Sequence, residues 1–383
     1  MNYIKRSIED KIKSNLFKGK IIIIYGPRQV GKTTMVQEIL KDFDRVDVEY
    51  YTCDDPNIRS RLINKNTKEL ADFLLGKKLI VIDEAQMVTD IGVTLKLMHD
   101  TYPDVQIIAT GSSSFDLANK TKEPLTGRSL EYILLPLSLK EISASIGNIG
   151  AESMINIINI YGSYPDILFG NIDRREALIN ISSQYLYKDL LKFEGIRKPE
   201  LLEKLLKLIA TNVGSEVSYT EMSNTLDVHK STVETYISYL EQAFIIYKVL
   251  PYSNNIRSQI SKKRKIYFFD NGMRNAVLGN FEDLENRVDK GALWENFVFS
   301  DFYKMLLVKT LGVGRMYFLR TYDKQEIDMI IQNGSEIDGY EIKYKNQKIK
   351  IPKVWKDNFK NKDLNKIKDL NLISRENYLD FVI

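Results

Sequence analysis

The segment IIIIYGPRQVGKTT, residues 21–34, constrains the fold more than any other stretch of the chain. An uninterrupted apolar run of this kind needs a strand covered on both faces. The run then leaves into a loop bounded by Gly26 and Gly31 and continues at once into Lys32, Thr33 and Thr34. This is the spacing G-x-x-x-x-G-K-[ST], in which backbone N–H groups of the loop wrap a phosphate and the start of the following helix adds its positive end. Gly26, Pro27, Arg28, Gln29, Val30, Gly31, Lys32, Thr33 and Thr34 are therefore candidate phosphate-binding residues. Lys32 would reach the outer phosphates of a nucleotide such as ATP, and Thr33 would ligate Mg²⁺.

At 383 residues and 44% hydrophobic content the chain has material for several packed cores. Its formal charge of +4 is only weakly basic, so an electrostatic case for nucleic acid has to rest on local clusters. One cysteine, Cys53, excludes an intrachain disulfide, and with two histidines a zinc site is not expected. The charged start MNYIKRSIEDKIK has no apolar core of a signal peptide, and no apolar stretch approaches the length that spans a bilayer. The expectation is a cytoplasmic protein without a membrane partner.

Strand and helix patterns alternate through RVDVEYYTC, TKELADFLL, KKLIVIDEAQ, VTLKLMHDTY, VQIIATGSSS and SLEYILLPLSLKEI. Residues 1–145 are thus expected to form an α/β domain, a parallel sheet with helices on both faces. Residues 146–200 turn helical, with INIINIYGSYP and ISSQYLYKDLLKF, and ELLEKLLKLIATN follows. Over 201–255, the segment YTEMSNTLDVHKSTVETYISYLEQAFIIYKVLPY has two helical stretches joined by a turn at Leu226–Val228 and then a strand, the order of a winged helix-turn-helix. Its second helix, His229 to Ala243, carries Lys230 but also Glu234 and Glu241, so it is poorly charged as a DNA reader, and a module that packs against its neighbours is the favoured reading. Arg257, Lys262, Lys263, Arg264 and Lys265 concentrate positive charge beside it, either for a wing on a phosphate backbone or as a solvated hairpin. Residues 256–383 close the chain with a helix at GALWENFVFSDFYKMLL, strands at RMYFLR, EIDMIIQ and GYEIKYK, and a basic tail.

LIVIDEAQ places Asp83 and Glu84 at the end of a buried strand. There the aspartate would hold Mg²⁺ through water while the glutamate polarises the attacking water. In IIATGSSS, Thr110 or Ser112 would feel the γ-phosphate and report hydrolysis.

With YGPRQVGKTT, VIDEAQ, ATGSSS, LTGRSLEYILLPLS, YGSYP, KIYFFDNGMRNAVLG and GALWENFVFSDF in this order, the chain resembles the prokaryotic AAA-type ATPases whose C-terminal region was long classed as a domain of unknown function. The resemblance covers nearly the whole chain. It implies an AAA+/ASCE-type P-loop sheet, a helical and winged-helix middle, and a C-terminal α/β domain like the restriction endonucleases. It departs at Ser163, where the family often has a second glycine before the Tyr-Pro pair. It makes Arg128 in LTGR a candidate cation for the γ-phosphate, within the chain or on a neighbouring subunit.

The endonuclease-like pattern implied by the resemblance is an acid on the first helix, an acid on a strand, then E-x-K on the next, and Glu295, Asp328, Glu341 and Lys343 match it in order. Glu341 and Lys343, two residues apart, would share one face of a strand. Asp328 and Glu341 would hold Mg²⁺, with a basic stretch from Lys343 to Lys368 to grip a substrate backbone. Such domains bind DNA with or without cutting it. The expected function is an enzyme that binds ATP and hydrolyses it to ADP, coupled to a C-terminal half that binds DNA and could cleave it with Mg²⁺. The alternative is a nucleotide-gated switch for a protein partner or a second copy of the chain, with an inactive nuclease-like domain.

Overall fold

The computed structural model describes residues 3–63, 66–74, 76–112, 125–183, 196, 198–253, 263–310, 312, 314–321, 325–355 and 366–383, of which 366–369 by backbone alone. Most of ISSQYLYKDLLKF, Arg257 and Lys262 of the basic cluster, and residues 356–365 lie outside them. The chain forms two compact units, Met1–Pro136 with Gln242–Phe244, and Leu137–Glu241 with Ile245–Ile383.

The first unit is built on a sheet of β1 (Ile21–Tyr25), β2 (Val48–Thr52), β3 (Leu79–Asp83), β4 (Gln106–Gly111) and β5 (Ser129–Ile133), in the order β2-β3-β4-β1-β5. Every pairing is parallel. β1, β3 and β4 are buried at every position, whereas the outer strands β2 and β5 are largely half-buried. This is why the inner strands read as unbroken apolar runs and the outer ones do not. Register aligns Ile24 with Thr110 and Ile82 with Ala109, so the carboxyl ends of β1, β3 and β4 meet at one edge. In open parallel sheets that edge is where ligands bind.

The second unit contains one sheet of seven strands in the order β12-β11-β10-β9-β7-β8-β6. They are β6 (Glu216–Val217), β7 (Ile246–Pro251), β8 (Arg264–Phe268), β9 (Arg315–Arg320), β10 (Glu326–Asn333), β11 (Glu336–Ile342) and β12 (Lys366–Ile373). Over the segment read as a winged helix-turn-helix, helices Tyr219–Leu226 and Lys230–Gln242 are joined by a turn in which Asp227 is left-handed at φ 52°. The antiparallel pair β7 and β8 follows. β7 then pairs in parallel with β9, through Leu250–Tyr317 and Pro251–Phe318. The strands after the helix-turn-helix and those of the C-terminal region thus share one sheet, where the sequence suggested separate domains divided near residue 255. β12, parallel to β11, corrects the expected basic tail. Its alternation IKDLNLI is that of a strand, but the lysines around it outweigh that signal in composition.

A buried polar network ties the YGSYP turn to this sheet. The carboxylate of Asp270 caps the Asn271–Leu278 helix at Met273 N (3.2 Å) and accepts from Ser163 N (2.7 Å). Lys304 Nζ, also buried, donates to Leu137 O (3.1 Å) and Ser163 Oγ (3.0 Å). Ser163, the departure from the family's second glycine, therefore serves a buried ammonium. Gly162 beside it lies at φ +84°, and a Cβ there would come within 1.9 Å of Asp270 Oδ1. Gly162→Ala is expected to destabilise this unit by about 2–4 kcal/mol, from left-handed strain plus the displaced carboxylate. Both tryptophans, Trp294 and Trp355, are buried in this unit, so a lowered urea midpoint in tryptophan fluorescence checks it.

Candidate functional site

The loop after β1 closes tightly on itself. Gly26 at φ 157° has its Cα against Leu134, whose carbonyl oxygen a Cβ would meet at 2.0 Å, so only glycine fits. Gln29 and Gly31 are left-handed, and Gly31 is the N-cap of the Lys32–Leu40 helix. Lys32 is buried, and its Nζ donates to Gly26 O and Pro27 O, each at 2.9 Å, which folds the ammonium over the loop. Val30 packs fully into the core and offers only backbone, while the side chains of Arg28, Gln29 and Thr34 are exposed. A residue the sequence did not single out holds the loop from behind: buried Arg6 donates to Val30 O (2.8 Å) and Leu135 O (2.5 Å).

Asp83 at the end of β3 gathers hydroxyls from three segments. Thr33 Oγ1 donates to Oδ2 at 2.9 Å, Tyr50 OH to the same oxygen, and Thr110 Oγ1 to Oδ1. Burial, and next the bond to Asp83, raise the Tyr50 phenol well above its ordinary pKa, so it stays a donor. Thr110 Oγ1 also accepts from Glu84 N at 3.2 Å, and Gln86 Nε2 bridges the Glu84 carboxylate to Ser112 Oγ (3.0 Å). Glu84 itself is left-handed at φ 52°. Both candidate sensors thus touch the acids, Thr110 through Asp83 and the Glu84 backbone, Ser112 through Gln86. A hydroxyl and a carboxylate in contact beside the loop are hard oxygen donors of the kind Mg²⁺ takes, so this site fits a magnesium nucleotide.

Arg128 is not at this edge. Its carbonyl accepts from Ile21 N (2.9 Å) at the start of β1, and Ser129 registers with Ile21. Five residues of strand separate it from Gly26, roughly 16 Å at about 3.3 Å per residue. Its Nε donates to Asp100 Oδ1 at 2.8 Å, and that bond and His99 hold Asp100 below the usual carboxylate range. A role on the γ-phosphate of its own chain is thereby corrected: the LTGR motif identifies the residue but not the end of the sheet on which it lies.

The second candidate cluster lies wholly in the second unit. Asp328 on β10 accepts from Ile342 N (2.8 Å) and from Lys343 Nζ (3.0 Å), and Lys343 also reaches Glu341 Oε2 (3.3 Å). Glu295, on the Lys290–Thr310 helix, accepts from Tyr267 OH (2.6 Å) and Lys265 Nζ (3.3 Å). Lys265 reaches Glu326 Oε1 as well, at 3.1 Å. Burial, then the Asp328 charge, push Glu341 up to about 7. Burial also raises Glu295, against the pull of Lys265. Lys343 is pulled down by burial but raised on balance by Asp328. The expectation of a Mg²⁺ site on Asp328 and Glu341 does not fit this arrangement: ammonium groups stand between the carboxylates, and among the described residues no three Asp, Glu, His or Cys side chains are grouped as for a metal ion. Lys265, read as part of a surface wing, is buried here. Lys265 with Tyr267, and Glu326 with Asp328, are i, i+2 pairs that share strand faces, a signal present in the sequence but carried by strands far apart along the chain.

Residues 18–143 match a family model described as an AAA domain, and residues 155–284 and 290–377 match two models described as domains of unknown function. An uncharacterized protein of Mycobacterium tuberculosis is 26% identical over 350 residues, covering 88% of this chain and 74% of that protein. One of Methanocaldococcus jannaschii is 25% identical over 355 residues, covering 82% and 73%. Among solved structures, the Walker-type ATPase of Pyrococcus abyssi is similar at 16% identity and a TM-score of 0.49, covering 72% of this chain and 96% of that one. The ORC1 protein of Aeropyrum pernix, solved in complex with DNA, is similar at 14% identity and a TM-score of 0.34, covering 73% and 93%. Over residues 18–143 the chain thus matches an AAA domain, with a loop of the phosphate-binding pattern after its first strand, and this is followed by two regions that match domains of unknown function.

Proposed function

We propose that the protein binds and hydrolyses ATP at the β1 loop and that its second unit binds DNA. The observation that carries the first part is the contact of Thr33 with Asp83 at 2.9 Å beside a loop that only glycine can close. Lys32 leaves the loop carbonyls for the β- and γ-phosphates, Thr33 and Asp83 hold the magnesium that travels with the nucleotide, and Glu84 takes the proton of the attacking water. Mg²⁺ there neutralises charge on the phosphates. When the γ-phosphate leaves, Thr110 and Ser112 are placed to transmit the change, Thr110 by its bond to Asp83 and Ser112 through Gln86, which also holds Glu84.

The DNA reading is supported by the helix-turn-helix and by a cleft of about 770 Å³ at its turn, where His229, Ser231, Thr232, Thr235 and Lys198 offer hydrogen-bonding groups. Charge weighs against it: Lys230 is partnered by Glu234 at 3.5 Å and Lys263 by Glu221 at 2.9 Å, which weakens their pull on a phosphate backbone. A switch for a protein partner is the second reading, favoured by this same partnering of the basic groups.

Lys32→Ala is expected to abolish ATP binding, whereas Glu84→Gln keeps binding and slows turnover at least ~100-fold, the size of a lost general base. Nucleotide titration alongside phosphate release separates the two, and normal turnover in Glu84→Gln would remove the role given to that residue. Arg128→Ala is expected to leave ATP affinity unchanged. Loss of turnover in that variant, restored on mixing with Lys32→Ala subunits, would assign Arg128 to a neighbouring copy; tightened or weakened ATP binding would contradict its position at the far end of β1. DNA affinity is expected to fall several-fold or more between 50 and 200 mM salt. Binding of a duplex followed by anisotropy across that range checks it, and absence of binding at low salt would favour the protein-partner reading.

A further inference from the structure

Carboxylates from the Lys290–Thr310 helix, β10 and β11 converge in the second unit: Glu295, Glu326, Asp328 and Glu341. Left alone, such groups repel one another, and relief comes from protonation or from a cation between them. Two lysines supply that relief. Lys343 takes the Asp328–Glu341 pair at 3.0 and 3.3 Å, and Lys265 takes the Glu295–Glu326 pair at 3.3 and 3.1 Å. The second lysine comes from outside the C-terminal strands, on β8. Its side chain is 4% exposed and lines a polar cleft of about 540 Å³ together with Glu295, Glu326 and Asp328.

The place of Lys265 is fixed from several directions. β8 is an inner strand, paired with β7 on one side and β6 on the other, so its backbone cannot shift without breaking both ladders. Tyr267, two residues on, lies on the same face and holds the same Glu295 oxygen at 2.6 Å. The ammonium also lies 5.4 Å from the centre of the Phe318 ring. A divalent ion bound to Glu295 and Glu326 would compete with Lys265 for one oxygen of each carboxylate and would face its positive charge at close range.

We propose that Lys265 is a built-in cation that occupies the carboxylate cluster in place of a divalent metal, so that the cluster takes no Mg²⁺ or Mn²⁺ while this lysine is present. The inference rests on the cluster's geometry and is independent of whether the second unit binds DNA. It makes the cluster an ion-paired joint between β8 and the C-terminal strands. It also makes phosphodiester cleavage through a metal at this place conditional on loss of the lysine.

The test is Mn²⁺ binding to the full chain without nucleotide, followed by the electron paramagnetic resonance of the free ion, in an Asp83→Asn background that removes the phosphate-loop contribution. The parent protein and a Lys265→Arg variant are expected to bind no Mn²⁺ that depends on the cluster. Lys265→Met is expected to gain a site at least ~10-fold tighter than any in the parent, the change that exposing paired carboxylates to a hard cation should bring. Adding Glu295→Gln and Glu326→Gln to Lys265→Met should abolish that site. Mn²⁺ binding by the parent that is lost on Asp328→Asn or Glu295→Gln overturns the proposal, as does a folded Lys265→Met protein that gains no site. Tryptophan fluorescence reports folding of this unit, and if Lys265→Met does not fold the parent and its Asp328→Asn and Glu295→Gln variants decide alone.

Discussion

Asp83 accepts hydroxyl hydrogen bonds from Thr33, Tyr50 and Thr110, side chains that reach it from the loop helix, from β2 and from β4. A carboxylate at the end of a buried strand has to be satisfied, because an unpaired charge there would cost several kcal/mol. The strand order meets this requirement by setting β3 between β2 and β4, with Thr52 registered against Asp83 and Ala109 against Ile82. The same alignment carries Gly26 and the Lys32–Leu40 helix to the edge where Asp83 ends its strand. The loop after β1, Asp83 and Thr110 are thus brought to one edge by one register, and a slip by one residue would turn the strand side chains among them to the other face.

The second unit is organised by charges that burial would forbid unless partnered. Asp270 and Asp301 are both raised by burial and both opposed by Lys304. Asp301 in turn accepts from Leu139 N (2.9 Å) and Tyr378 OH (2.7 Å), which anchors the start of the Leu139–Tyr161 helix and the C-terminal turn to the Lys290–Thr310 helix. Arg274 and Arg287 meet on Asp289, whose carboxyl they hold well below the usual range. Removing one member of such a pair typically costs 3–5 kcal/mol, more than the pair itself contributes, so these residues specify the arrangement more than they stabilise it.

What was legible in the sequence is what is encoded locally. Strand, loop and helix at residues 21–40 are contiguous, and the spacing of Gly26, Gly31, Lys32 and Thr33 carries its own geometry. The acids Asp83 and Glu84 follow from a buried strand that ends in charge. Arg6, Tyr50 and Lys265 were not legible as site residues, because the groups they hold lie 24 to 129, 33 and 30 or more residues away and only the fold brings them there. That Arg128 lies away from the loop of its own chain was hidden for a related reason. A motif beside a strand does not reveal which end of the sheet that strand presents, and β5 enters from the end opposite the loop. The E-x-K pattern found its residues, Asp328, Glu341 and Lys343, in mutual contact, but it does not include Lys265, which pairs with Glu295 and Glu326 beside them.

The continuity of the second sheet limits how a nucleotide signal could act. β7 and β8 close the helix-turn-helix, yet β7 is also hydrogen-bonded to β9, and Lys265 on β8 is ion-paired to the helix and to β10 of the C-terminal region. Packed sheets of this kind are bistable at their interfaces rather than continuously deformable. Among the described residues, the helix-turn-helix and the carboxylate cluster are therefore joined by continuous strand ladders and ion pairs.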